Sequence, residues 1–350
     1  MTAAIASPQM TRSMNRGKSV WAAAASRFKT DRVGLVSLVI VALFLLLVLA
    51  SSVGLVAKDW QVERGVPDAP PTFMGPAPKT ESVSVTAPTG PNVDISAIDP
   101  LAPRYAEWAE AAKKYQTQVT ARADTLPFGG DRLGRDVLAK AIKGAQVSIL
   151  VGVSAAVLAT LIGTLLGAVA GFFGGKVGDL LEWVYNVFTA IPGILLIFAF
   201  AAVFGRGIGS VVLILGLAGW TGIYRLVRAE FIKHANRDYV RAAEAIGASN
   251  ASRMFRHILP NVSHVVLVQL SIHVVGFIKS EVILSYLGLG VGVDQVSWGT
   301  MLSEAQSELI LGHWWQLAAA TFLMAVFVTA FSLMTDALRD ALDPKLRGLE

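Results

Sequence analysis

Six stretches of this chain stay apolar long enough to cross about 30 Å of hydrocarbon at about 1.5 Å per residue. They are 33–56, 147–173, 182–204, 208–229, 262–287 and 315–337. Polar residues between them return in blocks, not at a surface-helix period, so the pattern predicts an all-α integral membrane protein with six transmembrane helices. The third stretch contains Pro192 in "TAIPGILL". Neighbouring helices can satisfy the carbonyl that a proline frees, so a kinked span is expected there.

The polar blocks set the organisation. Residues 1–32 carry Arg12, Arg16, Lys18, Arg27, Lys29 and Arg32, and the segment 225–257 carries seven Lys and Arg, whereas 288–314 carries none. Short basic loops stay in the cytoplasm. Both termini and the 225–257 loop are therefore expected inside, with 288–314 outside. The expected parts are a cytoplasmic segment 1–32, a first span 33–56, an extracytoplasmic insert 57–146, a five-helix core 147–338 with a cytoplasmic loop 232–260, and a tail 339–350. Within the insert, 67–103 holds nine of the fourteen prolines and reads as extended linker. Residues 103–124 read as a helix with one apolar seam of Tyr105, Trp108, Ala112, Tyr115 and Val119, expected to pack on the protein's own surface or to dock a soluble partner. Residues 19–32, with Trp21 and Phe28, suit a helix in the lipid interface or a plain basic flank. Trp298, Trp314 and Trp315 read as an outer aromatic belt.

The stretch "YVRAAEAIGASNASRMFRHILPNV" (239–262) is far longer than a connection between spans requires. Residues 239–246 suit a helix, Gly247 its left-handed end, Ser249 or Asn250 the cap of a second helix over 250–258, and Pro260 its stop. Two short helices meeting at a glycine make a compact elbow joined to the fourth and fifth spans. Such an elbow suits docking into a groove on a soluble protein and tilting those spans when pushed.

Composition agrees and narrows the chemistry. Hydrophobic residues make up 54%, charged residues 16%, and the mean hydropathy is +0.56. There is no cysteine, and the five histidines form no H-E-x-x-H pair, so disulfides and a zinc site are not expected. "GAVAGFFGGKVG" (167–178) fails as a phosphate loop because Val177 follows Lys176 where Ser or Thr is needed. No nucleophile elbow or carboxylate pair suggests an enzyme. Glu281, inside the fifth span, is expected to face the bundle interior or water, lining a path or bonding a neighbouring helix.

The elbow resembles the cytoplasmic signature of permease subunits of ATP-binding-cassette importers: Ala242, Ala243, Gly247, Leu259 and Pro260 fall at its spacing, and "RHILPN" resembles the peptide/nickel subfamily. "LPFGGDRLGRDVLAKAIKGAQVSI" (126–149), "SEVILSYLGLG" (280–290), "SWGTMLSEA" (297–305) and "DALRDALDPKLRG" (336–348) are similar to its other landmarks. Arg241 stands where that family usually has Glu, with Glu244 one turn on. The resemblance implies a type I importer permease fold in a bacterial inner membrane. It implies half of a translocation path for peptides or similar small solutes, with no cofactor in this chain. The partners implied are a second permease, two ATPase subunits that bind ATP and Mg²⁺, and a periplasmic binding protein. It places the ATPase contact at Arg241, Ala242, Ala243, Glu244, Gly247, Ala248, Leu259 and Pro260. On the path, Pro192 and Glu281 are the expected residues. An ion-coupled secondary transporter is the alternative; it predicts inverted repeats and several intramembrane carboxylates.

Overall fold

The computed structural model describes residues 25–76, 98–114 and 122–342. Trp21, Tyr115, Val119, most of the Pro-rich linker and the tail beyond 342 lie outside the described residues. The described chain is helical, with only isolated β-bridges. Its helices are α1 (Arg32–Ser52), α2 (Tyr105–Lys114), α3 (Val137–Phe173), α4 (Gly175–Ala190), α5 (Gly193–Phe204), α6 (Ile208–Ala235), α7 (Asp238–Ala245), α8 (Asn250–Ser252), α9 (Leu259–Tyr286), α10 (Trp298–Ile310) and α11 (Trp315–Leu342). Five segments are long and apolar enough to cross a membrane: α1, α3, α6, the stretch Asn250–Tyr286 and α11. The pair α4 and α5 would make a sixth.

That pair corrects the expected kink. α4 and α5 meet at 91°, a break and not a bend in one rod. Ile191 is extended (φ −93°, ψ 130°) and Pro192 is the N-cap of α5. A proline drives the residue before it out of the helical region, and it starts a helix more readily than it continues one.

The chain divides into two compact units. The first comprises 1–56, 141–304 and 320–350. Its centre is a glycine stripe: a Cβ on Gly163, Gly167 or Gly171 of α3 would lie 2.6, 2.7 and 2.6 Å from the carbonyl oxygens of Trp220, Tyr224 and Arg228 on α6. Steps of four on both helices bring the backbones together, the small-residue packing that holds helices where lipid offers no hydrophobic drive. α4 closes over this seam with aromatic contacts, Phe188 on Trp220 and Tyr185 stacked on Tyr224, each with ring centroids 5.3 Å apart. Phe44 of α1 meets Phe327 of α11 at 5.2 Å. Asp31 caps α1, its carboxylate accepting from the N–H groups of Val33 (2.9 Å) and Gly34 (3.2 Å).

The second unit comprises 57–140 with 305–319. Asp131 is fully buried and accepts from Arg135 Nε and Lys140 Nζ, both at 2.7 Å. Lys140, itself buried, also donates to Gln316 at 3.2 Å. Burial pushes the Asp131 carboxyl up, but the Lys140 charge and the hydrogen bonds from Arg135 and Lys140 outweigh it and hold it below its ordinary value. Glu308 Oε1 accepts from the Arg132 N–H at 3.3 Å, and burial pushes this carboxyl up to about 7 despite that bond and the Lys140 charge. Trp315 is buried and donates from Nε1 to the Gly130 carbonyl at 2.6 Å. The α2 seam is not covered among the described residues: Tyr105 and Trp108 remain about half exposed.

Candidate functional site

The elbow forms as its sequence dictates, with one difference. α7 ends in a Schellman motif: the Ala248 N–H donates to the Ala243 carbonyl and the Gly247 N–H to the Glu244 carbonyl, both at 2.9 Å. Gly247 has φ +87°, and a Cβ placed on it would meet nothing within 4 Å, so conformation and not crowding demands glycine there. Ser249 caps the next helix, its hydroxyl accepting from the Ser252 N–H at 3.3 Å. That helix does not stop at Pro260. A π-helical turn, Arg253–Ile258, runs directly into α9, and Pro260 occupies the first turn of α9, where no N–H is required. The second arm of the elbow and the following span form one continuous stretch, Asn250–Tyr286.

Its underside is apolar. Val240, Met254 and Ile258 are buried together with Ile223, Val227 and Phe231 of α6, Ala168 of α3 and Val262 of α9. Glu244 reaches across the bend to Arg253 (2.7 Å), whose guanidinium also lies 5.3 Å over the Phe172 ring. The elbow therefore packs directly on α6 and α9.

Of the expected contact residues, Arg241, Ala242, Glu244, Gly247 and Pro260 are exposed, Ala248 and Leu259 are half-buried, and Ala243 is buried beneath α7. Sequence reasoning missed Ile246. It caps α7 at the tip of the elbow and is 85% exposed. The signal was present: an isoleucine beside a helix-ending glycine, off the apolar face set by Val240 and Ala243.

The path residues are placed differently from one another. Pro192 is exposed at the α4–α5 break. Glu281 is fully buried: Ser285 Oγ donates to its Oε1 at 2.6 Å, the hydroxyls of Ser148 and Ser297 lie beside it, and its Oε2 has no hydrogen-bond partner among the described residues. Trp298, expected in an interfacial belt, is instead fully buried beside this cage, donating from Nε1 to Ala141 and from its backbone N–H to Ser148 (both 3.2 Å). Three hydroxyls suit a lone carboxylate that must be kept from lipid. The cage ties α9, α3 and the start of α10 together.

Residues 163–348 match the family described as binding-protein-dependent transport system inner membrane component. The chain is 36% identical over 220 residues to the dipeptide transport system permease protein DppC of Bacillus subtilis, covering 63% of this chain and 69% of that one. It is 33% identical over 238 residues to the oligopeptide transport system permease protein OppC of the same organism, covering 67% of this chain and 78% of OppC. With the glutathione transport system permease protein GsiD of Escherichia coli it shares 38% identity over 223 residues, 63% of this chain and 73% of GsiD. With its membrane-length helices and stiff elbow, the chain belongs to the family of inner membrane components of binding-protein-dependent transport systems.

Proposed function

We propose that this chain is one of two permease subunits of an ATP-driven importer of peptides, and that the α7–α8 elbow is its contact with a cytosolic ATPase subunit. The peptide class is supported by the names of the relatives, which are permeases for dipeptides, oligopeptides and glutathione. The cytosolic placement of the elbow is supported by the seven Lys and Arg of the segment 225–257 around it, against none in 288–314. On this reading both termini lie inside, the second unit lies outside within reach of a solute-binding protein, and ATP and Mg²⁺ belong to the ATPases.

The single observation carrying the coupling role is the exposed Ile246 at the tip of an elbow whose underside is fused to α6 and α9. An apolar tip gains by entering a groove on a partner. When paired ATPases close on nucleotide they draw two such elbows together, and the rods behind them rotate from an inward-open to an outward-open arrangement.

The test is Ile246→Asp and Gly247→Val in the assembled transporter. Both variants are expected to insert and to pair with the second permease, yet to lose ATPase subunits on purification and to lose uptake. Retention of the ATPases together with normal uptake in both would refute the coupling role. Uphill transport by this chain without ATPases would favour an ion-coupled carrier.

A further inference from the structure

Two ionisable residues of α9 and α11 border one groove and are left uncovered. Lys279 is seven residues before the end of α9, about 10 Å along its axis, and Asp336 lies near the end of the apolar stretch 315–337. Both are exposed, and neither has an ion-pair or hydrogen-bond partner among the described residues. They line one groove of about 230 Å³ between α9 and α11, together with Ser271, Ser332 and Thr335. Gly276 borders the same groove, and a methyl on it would meet nothing within 4 Å.

The groove between α1 and α11 is the contrast: beside Arg32, Ser37 and Thr329 it is walled by Val33, Val36, Ile40, Phe322, Val326 and Leu333, and it holds no carboxylate. The α9–α11 groove has an ammonium, a carboxylate and three hydroxyls. A bare Lys279 ammonium within a span is too costly to leave in hydrocarbon, so this groove faces water or a polar solute. A second polar recess, with His264, Gln269 and Arg339, extends the same face of α9 and α11.

Resting on the reading of this chain as a peptide permease subunit, we infer that the α9–α11 groove is its share of the solute path, where Lys279 meets the carboxylate terminus and Asp336 the ammonium terminus of a short zwitterionic peptide. The pairing of signs selects this class. Lys279 repels a free divalent cation, and only a zwitterion matches both charges at once. The groove holds the volume of about eight waters at ~30 Å³ each, enough for one end of a peptide against one wall. Glu281 faces away, into its serine cage.

Because the chain contains no cysteine, single thiols can be placed cleanly. K279C, D336C and, as the lipid-facing control, V36C are made in the assembled transporter with cysteine-free partners, and treated with a charged, water-soluble methanethiosulfonate. Positions 279 and 336 are expected to react at least about tenfold faster than 36, and a saturating zwitterionic tripeptide is expected to slow them. K279Q and D336N are expected to lower tripeptide uptake by about tenfold or more, the effect of losing one charge-assisted bond, with K279R and D336E retaining most of it. G276W is expected to block uptake sterically while the complex still assembles. Thiols at 279 and 336 as inert as at 36, or normal uptake by K279Q and D336N, overturn the inference. So does loss of assembly in those variants, which would mean that the charges pair with the second permease. If the wild-type transporter carries another solute and no peptide, the peptide reading fails, and the labelling rates still report whether the groove is wet.

Discussion

The elbow at 238–258 and the second unit are held together by opposite chemistries. In the elbow the buried core is apolar, and the charge pair of Glu244 with Arg253 lies at its edge, the two side chains 60% and 15% exposed. In the second unit the buried groups include Asp131, Lys140, Glu308 and Gln316. Apolar close packing is non-directional yet dense enough to transmit strain, so it suits a joint that must carry load repeatedly. A buried network of charges fixes one register and fails when one member is lost, because the remaining charge has neither water nor partner. The comparison makes a prediction for each kind of damage.

The largest effect is expected from Lys140→Met. It leaves the Asp131 carboxylate buried, with Arg135 as its remaining cation, and should destabilise the second unit by about 3–5 kcal/mol, the cost of breaking a buried pair from one side. Asp131→Asn with Lys140→Met should recover part of that loss, since the buried ammonium and carboxylate go together while Arg135 keeps its place over the Trp60 ring. Hydrogen exchange across 126–137 is the measurement, with exchange in the elbow as the internal control. An unaltered 126–137 segment in the single variant would mean that the network does not hold this unit.

The same contrast explains what can be read in the sequence. The elbow is legible because its determinants are local: Gly247, Ser249 and the apolar spacing of Val240, Ala243 and Met254 all lie within fifteen residues. What misleads is also local. Pro260 reads as a stop because a π-helical turn leaves no one-letter signature, and Pro192 reads as a kink because a span and two half-helices have the same hydropathy. The second unit's network is not legible. Lys140 and Gln316 are 176 residues apart, as are Arg132 and Glu308, and each reads alone as an ordinary surface polar group. The glycine stripe at 163, 167 and 171 is written in the sequence, but its counterpart is the backbone of α6, which has no side-chain pattern to match. Glu281 avoids lipid as its place in a span requires, while its cage could not be assembled from serines at 148, 285 and 297 without the fold.

A smaller effect tests the network through protons. The Glu308 carboxyl titrates at about 7 in the fold, against an ordinary 4.5. A raised folded value means that the proton is held more tightly in the folded state. The contribution of Glu308 is therefore full below about pH 4.5 and is lost as pH rises through 7, on the order of 3 kcal/mol across that window. Asp131 acts in the opposite sense, its stabilisation being lost as pH falls below the ordinary carboxylate range. Glu308→Gln should flatten the decline between pH 5 and 7 in the exchange of 126–137 amides, with no change in the elbow. A decline that persists in Glu308→Gln would assign it to other groups in the unit.

The smallest effect is expected from Glu244→Gln. The Glu244 side chain is 60% exposed, so its pair with Arg253 is screened by water and salt and should contribute well under about 1 kcal/mol. Arg253 keeps its position over the Phe172 ring without it, and the Schellman hydrogen bonds at Gly247 involve no side chain. If the elbow's stiffness resides in its apolar underside, Glu244→Gln should retain ATPase subunits and nearly all uptake at physiological salt. Met254→Ala, which cuts into that underside, should weaken both. Equal losses in the two variants would place the strength of the elbow in its surface charge, and the distinction between the two regions would reduce to the depth at which each buries its ions.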